Sequence, residues 1–85
     1  MEKKYKDFSK NHNDIYYIVG KNIKKYRIKK NITQAELADL CFLSVGYISD
    51  LESDTFRTIS LNTLSLIAEK LDIHISLLLQ DLDDE

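Results

Sequence analysis

The sequence has 85 residues, of which 44% are hydrophobic, and its formal net charge is −2. A chain of this length forms one small domain, and no apolar run approaches the roughly 20 residues that cross a bilayer. Residues 1–10 lack the apolar stretch of a signal peptide, so we expect a cytoplasmic protein without a membrane anchor. Residues 1–30 hold ten Lys/Arg and three Asp/Glu, whereas residues 31–85 hold two and eleven. This asymmetry fits either a basic side that faces phosphates or a solvated Lys-rich segment.

The chain contains no proline and only two glycines, and its apolar residues recur at helical spacing, which predicts an all-α fold. A first helix follows Asn13 or Asp14, either of which can cap it. Asn31 tolerates the left-handed conformation that ends many helices, so we expect the first helix to stop there. Thr33 and Glu36 have the spacing of a capping box, which predicts the start of a second helix.

Three further helices are predicted in the rest of the chain. Ser44 and Ser60 are N-cap candidates for the third and the fourth, and the apolar segment that follows is long enough for a fifth. The five predicted helices are residues 14–30, 34–41, 45–53, 61–71 and 75–82. We expect residues 1–13 to form a flexible basic segment, residues 14–82 a compact domain, and residues 83–85 an acidic tail.

The second and third helices are short and joined by a few residues, which is the pattern of a helix-turn-helix. With Gln34 as the first position, every position that the core of this motif needs to be apolar is apolar. These positions are Leu37, Ala38, Cys41, Leu43, Ile48 and Leu51. Ala38 is small enough for the two helices to pack at a steep angle. We expect Cys41, which has no second cysteine to pair with, to be a buried small hydrophobe rather than a nucleophile or metal ligand.

Three segments carry a resemblance to a known family. They are Thr33-Gln-Ala-Glu-Leu-Ala, Ser44-Val-Gly-Tyr-Ile-Ser-Asp-Leu-Glu52, and Ser60-Leu-Asn-Thr-Leu with Ile67-Ala68. The sequence resembles the lambda-repressor-like family, also called Xre/Cro, over roughly residues 19–79. This resemblance implies a five-helix DNA-binding domain whose third helix is the recognition helix, with its N-terminal residues in the major groove.

The resemblance also implies roles for individual residues. Base-contact candidates are Ser44, Val45, Gly46, Tyr47 and Asp50, and phosphate-contact candidates are Gln34, Thr55, Arg57 and Thr58. Val45 can pack on a thymine methyl group, and Asp50 can accept a hydrogen bond from a cytosine amino group. Gln34 begins a helix, where phosphate is attracted, and a plain solvent-exposed helix start is the alternative. Arg27 and Glu52 match family positions that form a structural ion pair.

The sequence departs from the family pattern at its recognition helix and its turns. The recognition segment contains no Lys or Arg, so cations for phosphate contacts must come from elsewhere. Their candidate sources are Arg57, the first helix and a basic arm formed by Lys3, Lys4, Lys6 and Lys10. Phe42 stands where the family often has glycine, and a bulky residue at positive φ costs about 1 kcal/mol or more. Asp54 replaces the glycine that usually follows the recognition helix.

Apolar residues near the C-terminus exceed what one face of a short helix can bury, which predicts a homodimer interface, with core packing as the alternative. The candidates are Ile75, Leu77, Leu78, Leu79 and Leu82. We therefore predict a transcriptional repressor that binds a two-fold symmetric operator in double-stranded DNA as a homodimer. The alternative is an antitoxin or adaptor whose fold binds a protein partner, such as a toxin or another regulator. His12 and His74 are isolated and no Gly-rich phosphate loop is present, so we expect no enzymatic activity, cofactor or metal.

Overall fold

The computed structural model describes residues 15–53 and 57–81. Over these residues the chain forms four α-helices and one short 3₁₀ helix, without a strand. The α-helices are Ile15–Lys29 (α1), Gln34–Cys41 (α2), Val45–Glu52 (α3) and Leu61–Leu71 (α4), and the 3₁₀ helix is Ile75–Leu78. The prediction of an all-α fold is confirmed: α2 and α4 have the predicted bounds, whereas α1 and α3 end one residue early. The predicted basic segment of residues 1–13, with its lysine arm, and the acidic tail lie outside the described residues.

Side-chain caps determine where α2, α3 and α4 begin. At α2, Thr33 Oγ1 accepts a hydrogen bond from the Glu36 amide at 3.0 Å, and Glu36 Oε1 accepts one from the Thr33 amide at 2.7 Å. This is the predicted capping box, which satisfies two amides that lack helical partners. Ser44 and Ser60 cap α3 and α4 in the simpler way, each accepting from the backbone amide three residues further on.

Helix ends in the described residues use three non-glycine residues in the left-handed region: Asn31 at φ 64°, Phe42 at φ 57° and Asp72 at φ 60°. Asparagine and aspartate adopt this conformation at low cost, whereas phenylalanine does not. Phe42 is also 90% exposed, so its side chain gains little from burial. The turn between α2 and α3 therefore keeps the backbone geometry for which the family often uses glycine, and Phe42 bears the strain.

We expect Phe42→Asn to raise the free energy of unfolding by about 1 kcal/mol, because asparagine reaches the left-handed region more readily. Urea unfolding of the variant and the wild type measures this difference. Leu61→Asn is the matched control, since Leu61 is also largely exposed but is not at positive φ. A loss of stability in Phe42→Asn, with Leu61→Asn unchanged, would show that the phenyl ring stabilises the fold.

The prediction of a fifth α-helix over residues 75–82 is wrong. The Leu77 amide donates to His74 O at 3.0 Å, a spacing of three residues that belongs to a 3₁₀ helix. Asn22 of α1 is buried, and its Nδ2 donates to Leu78 O at 3.0 Å and to Gln80 O at 2.8 Å. Because α1 occupies these carbonyls, the last described residues follow α1 instead of continuing a helix.

All five elements contribute to one core. Its buried members are Val19, Ile23, Leu37, Ala38, Cys41, Ile48, Leu51, Leu64, Ile67, Ala68, Leu71 and Leu78. Burial raises the pKa of the Cys41 thiol, and the charge of Lys70 partly opposes this effect. Gly20 brings α1 and α3 into direct backbone contact, since a Cβ atom at Gly20 would lie 1.8 Å from Leu51 O. No helix in either described range is long and apolar enough to cross a membrane.

Candidate nucleic-acid interface

The α2–turn–α3 unit has the buried face that a helix-turn-helix requires. Of the six positions that were predicted to be apolar contacts, five are buried and Leu43 is partly buried against the core. The turn is closed by the Leu43 amide, which donates to Ala38 O at 2.9 Å. This packing fixes α3 relative to α2 and leaves the opposite side of α3 in solvent.

The exposed side of α3 contains most of the base-contact candidates. Ser44, Val45 and Gly46 are exposed, and Tyr47 is partly buried. No atom lies within 4 Å of a Cβ placed on Gly46, so this position faces open space. Ser49 is also exposed, one helical turn after Val45, and the sequence analysis missed it although its spacing places both residues on one face.

Glu52, at the end of α3, joins three helices through one carboxylate. Its Oε2 accepts from Arg27 Nε of α1 at 2.7 Å, and its Oε1 accepts from Arg27 Nη2 at 2.9 Å. The same Oε1 accepts from Gln34 Nε2 of α2 at 3.0 Å. The Arg27 and Glu52 side chains are only 11% and 2% exposed, and Arg27 Nη1 also donates to Ile32 O at 2.8 Å. The structure therefore brings Arg27 and Glu52 together in a nearly dry, two-point contact.

Gln34, the first of the phosphate-contact candidates, is the first residue of α2, and its side-chain amide donates to Glu52. Gln34 and Val45 line the same open cleft of about 500 Å³, between the end of α1 and the starts of α2 and α3. The N-termini of α2 and α3 therefore open toward one side of the molecule.

Asp50 and Arg57 form an ion pair that the sequence analysis did not predict. Arg57 Nη1 donates to Asp50 Oδ2 at 2.8 Å, and both side chains are about half exposed, at 45% and 46%. Arg57 Cζ lies 4.7 Å from the centre of the Tyr47 ring, and Tyr47 Oη donates to Thr58 O at 3.1 Å. Tyr47 thus contacts the backbone carbonyl of Thr58 and not its hydroxyl. Thr55, the other threonine among the phosphate-contact candidates, lies outside the described residues. These contacts hold residues 57 and 58 against the exposed side of α3.

Helix α1 carries most of the positive charge in the described residues. It holds Lys21, Lys24, Lys25, Arg27 and Lys29 and no acidic residue. Lys21 Nζ donates to Glu52 O at 3.1 Å, at the C-terminal end of α3, where the helix dipole favours a cation. Lys25 and Lys29 Nζ lie 5.2 Å and 5.4 Å from the Tyr26 ring. Five of the ten basic residues in the first thirty positions therefore lie on α1.

The predicted dimer interface is only partly exposed. Leu78 is fully buried in the core, so its assignment to an interface is wrong: the tight 3₁₀ helix and the hydrogen bond from Asn22 turn it inward. Ile75 and Leu77 are partly buried, Leu79 is 41% exposed, and Leu82 lies outside the described residues. Ile75 is packed against the core, so Leu77 and Leu79 are the described candidates for a contact between two copies.

Comparison with known proteins places this architecture among regulators. A family model for the helix-turn-helix domain matches residues 23–78, about two thirds of the chain. The immunity repressor protein of Bacillus phage phi105 is 40% identical over 58 residues, which are 68% of this chain and 40% of that protein. The chain thus spans less than half the length of this relative.

Solved structures share the fold over most of the chain. The restriction-modification controller protein C.AhdI from Aeromonas hydrophila is 30% identical, with a TM-score of 0.67 over 72% of this chain and 91% of that one. The biofilm regulator SinR, solved in complex with DNA, is 29% identical, with a TM-score of 0.68 over 73% and 98%. A hypothetical transcription factor from Neisseria reaches a TM-score of 0.77 over 99% and 91%, and at 24% identity it shows the fold alone.

Proposed function

This chain belongs to the helix-turn-helix family, of the lambda-repressor-like type. We propose that it is a transcriptional regulator that binds specific sequences in double-stranded DNA. The observation that carries the proposal is the exposed N-terminal half of α3, which opens to the same side as the N-terminus of α2. The buried contact of Glu52 with Arg27 and Gln34 holds these two helices at a fixed angle. A rigid recognition helix of this kind can place side chains on base edges without ordering them at each binding event.

Repression by a homodimer is the form of regulation that we propose. The relatives support it: the phage protein is named a repressor, and a regulator of the same fold has been solved with DNA. One module of this size covers only a few base pairs, and a two-fold dimer would double the sequence that is read. Leu79, which is exposed beside the core, is the described residue that best suits the dimer contact. Regulators of this type carry out no chemistry on DNA, so we propose no enzymatic role.

Selection of duplexes from a random DNA pool with the purified protein tests this function. We expect a two-fold symmetric consensus whose half-sites lie about one helical turn apart. Enrichment of a single unrepeated half-site would contradict the dimer, and enrichment of no sequence would contradict sequence-specific binding.

Gly46→Glu is the variant that links this binding to α3. Its side chain would enter open space, so the fold is expected to be kept, but a carboxylate on the recognition face would repel phosphates. We expect the affinity for the selected duplex to fall by about tenfold or more, with a melting temperature equal to or above that of wild type. Equal affinity of Gly46→Glu and wild type would show that this face of α3 does not contact DNA.

The second candidate is an antitoxin or adaptor that uses the same fold to bind a protein. It is favoured by the composition of α3, VGYISDLE, which contains two acids and no Lys or Arg. A helix without cations gains no counterion release of its own from DNA. Failure to retain any duplex even at about 50 mM salt would favour this candidate over the regulator.

A further inference from the structure

The contacts around Arg57 change the roles that the sequence assigns to α3. Asp50 stands at a base-contact position, yet its Oδ2 already accepts from Arg57 Nη1 at 2.8 Å. A hydrogen bond from Asp50 to a cytosine amino group would compete with this charged partner. The negative charge of Asp50 would also face the phosphates of DNA unless a cation remained beside it. Asp50 is thus better placed to hold the arginine than to contact a base.

Arg57 is restrained in two directions. The ion pair with Asp50 uses only Nη1 of its guanidinium group, and the centre of the Tyr47 ring lies 4.7 Å from Cζ. Tyr47 is itself tied by the hydrogen bond from its hydroxyl to Thr58 O. A guanidinium group has five N–H donors in a planar fork, so one edge can bind a carboxylate while another meets a second pair of acceptors. The side chain is still 45% exposed, which leaves it accessible to DNA.

We propose that Arg57 reads a guanine in the major groove and that Asp50 and Tyr47 position its guanidinium group for this contact. The inference rests on the proposed DNA-binding function. Guanine presents O6 and N7 as a pair of acceptors, and arginine is their commonest partner in specific complexes. Arg57 is the only basic residue between Lys30 and Lys70, and the contacts with Asp50 and Tyr47 bring it onto the face of a recognition helix that has no cation of its own. Arg57 is then the residue that determines specificity, and Asp50 is a positioning residue.

The test compares affinities for matched duplexes. The duplex selected by wild type is changed at each guanine of the half-site in turn, from G·C to A·T, symmetrically in both halves. The ratio of the two affinities is the discrimination at that guanine. Both duplexes carry the same charge, so general electrostatic changes caused by a variant cancel in this ratio.

We expect wild type to discriminate at one guanine by roughly 5- to 150-fold, the range for a bidentate arginine contact. Arg57→Met removes every donor of the guanidinium group, and its general electrostatic loss cancels in the ratio, so the ratio at that guanine should fall close to 1 with the other positions unchanged. Asp50→Asn should lower the ratio at the same guanine, even where its overall affinity rises because an acid has been removed. Glu69→Gln removes an acid from an exposed site on α4 and should leave every ratio at the wild-type value.

Three results would overturn the inference while leaving the proposed function intact. One is an Arg57→Met protein with wild-type ratios at every guanine, because Arg57 would then contact only the phosphate backbone. Another is an Asp50→Asn protein that loses discrimination at a different base pair, because Asp50 would then read that base itself. The third is a selected half-site without guanine. If wild type enriches no duplex, the proposed function fails first and the inference fails with it.

Discussion

Gly20→Ala is expected to lower the free energy of unfolding by about 3 kcal/mol or more, one of the two largest effects that we predict for a single substitution. A Cβ atom at Gly20 would lie 1.8 Å from Leu51 O and 3.0 Å from the Leu51 carbonyl carbon. Both are backbone atoms of α3, so no rotamer change relieves the contact, and α1 and α3 must separate. Alanine gains about 1 kcal/mol over glycine in helix propensity, which does not offset this strain.

Thermal unfolding measures the effect. For a domain of this size we expect a fall in melting temperature of about 12 °C or more. Gly46→Ala is the matched control, because a Cβ there meets no atom within 4 Å and the substitution should be neutral or stabilising. A melting temperature of Gly20→Ala close to that of wild type would show that α1 and α3 are not in backbone contact.

Glu52→Gln is expected to lower the free energy of unfolding by about 3–5 kcal/mol, the range for removing one partner of a buried ion pair. The substitution leaves the Arg27 guanidinium nearly buried without its counter-charge. Urea unfolding gives the loss directly. The pair of Arg57 and Asp50 is the internal comparison, because their side chains are 45% and 46% exposed. Removing this pair by Asp50→Asn should therefore cost no more than about 1 kcal/mol.

The double variant Arg27→Met with Glu52→Gln separates the ion pair from simple packing. When both charges are removed, no buried charge is left unpaired, so the combined loss should be smaller than the sum of the two single losses. Strictly additive losses would contradict a direct interaction between the two side chains.

Local patterns predicted the helices well because the atoms that start and stop them are near in sequence. The capping box of Thr33 and Glu36 and the left-handed residue Asn31 act within a few positions, so the bounds of α2 and the end of α1 follow closely from the sequence. The six apolar positions of the helix-turn-helix have fixed spacing for the same reason. The pairing of Arg27 with Glu52 came from the family resemblance instead, since no local pattern links residues so far apart.

The predictions that were wrong or incomplete involve contacts between residues that are far apart in the sequence. The segment after α4 has the apolar content of a helix, but its carbonyls bind Asn22, more than fifty positions earlier. The same contact buries Leu78, which sequence alone could not distinguish from an exposed leucine. Asp50 and Arg57 were given separate roles because the path of the loop between them was unknown. Gly20 was not singled out because its importance depends on which helix crosses it.

The open space around Gly46 bears on how such a regulator diverges. A Cβ atom added there meets no atom within 4 Å, so small substitutions at this position should leave the stability of the fold close to that of wild type. It lies on the helix face that we propose contacts bases, which means that a duplicated copy could acquire a different operator preference through single steps, each of them well folded. Substitutions at such a position would let two paralogues in one cell bind different operators, while the rest of the domain stays the same.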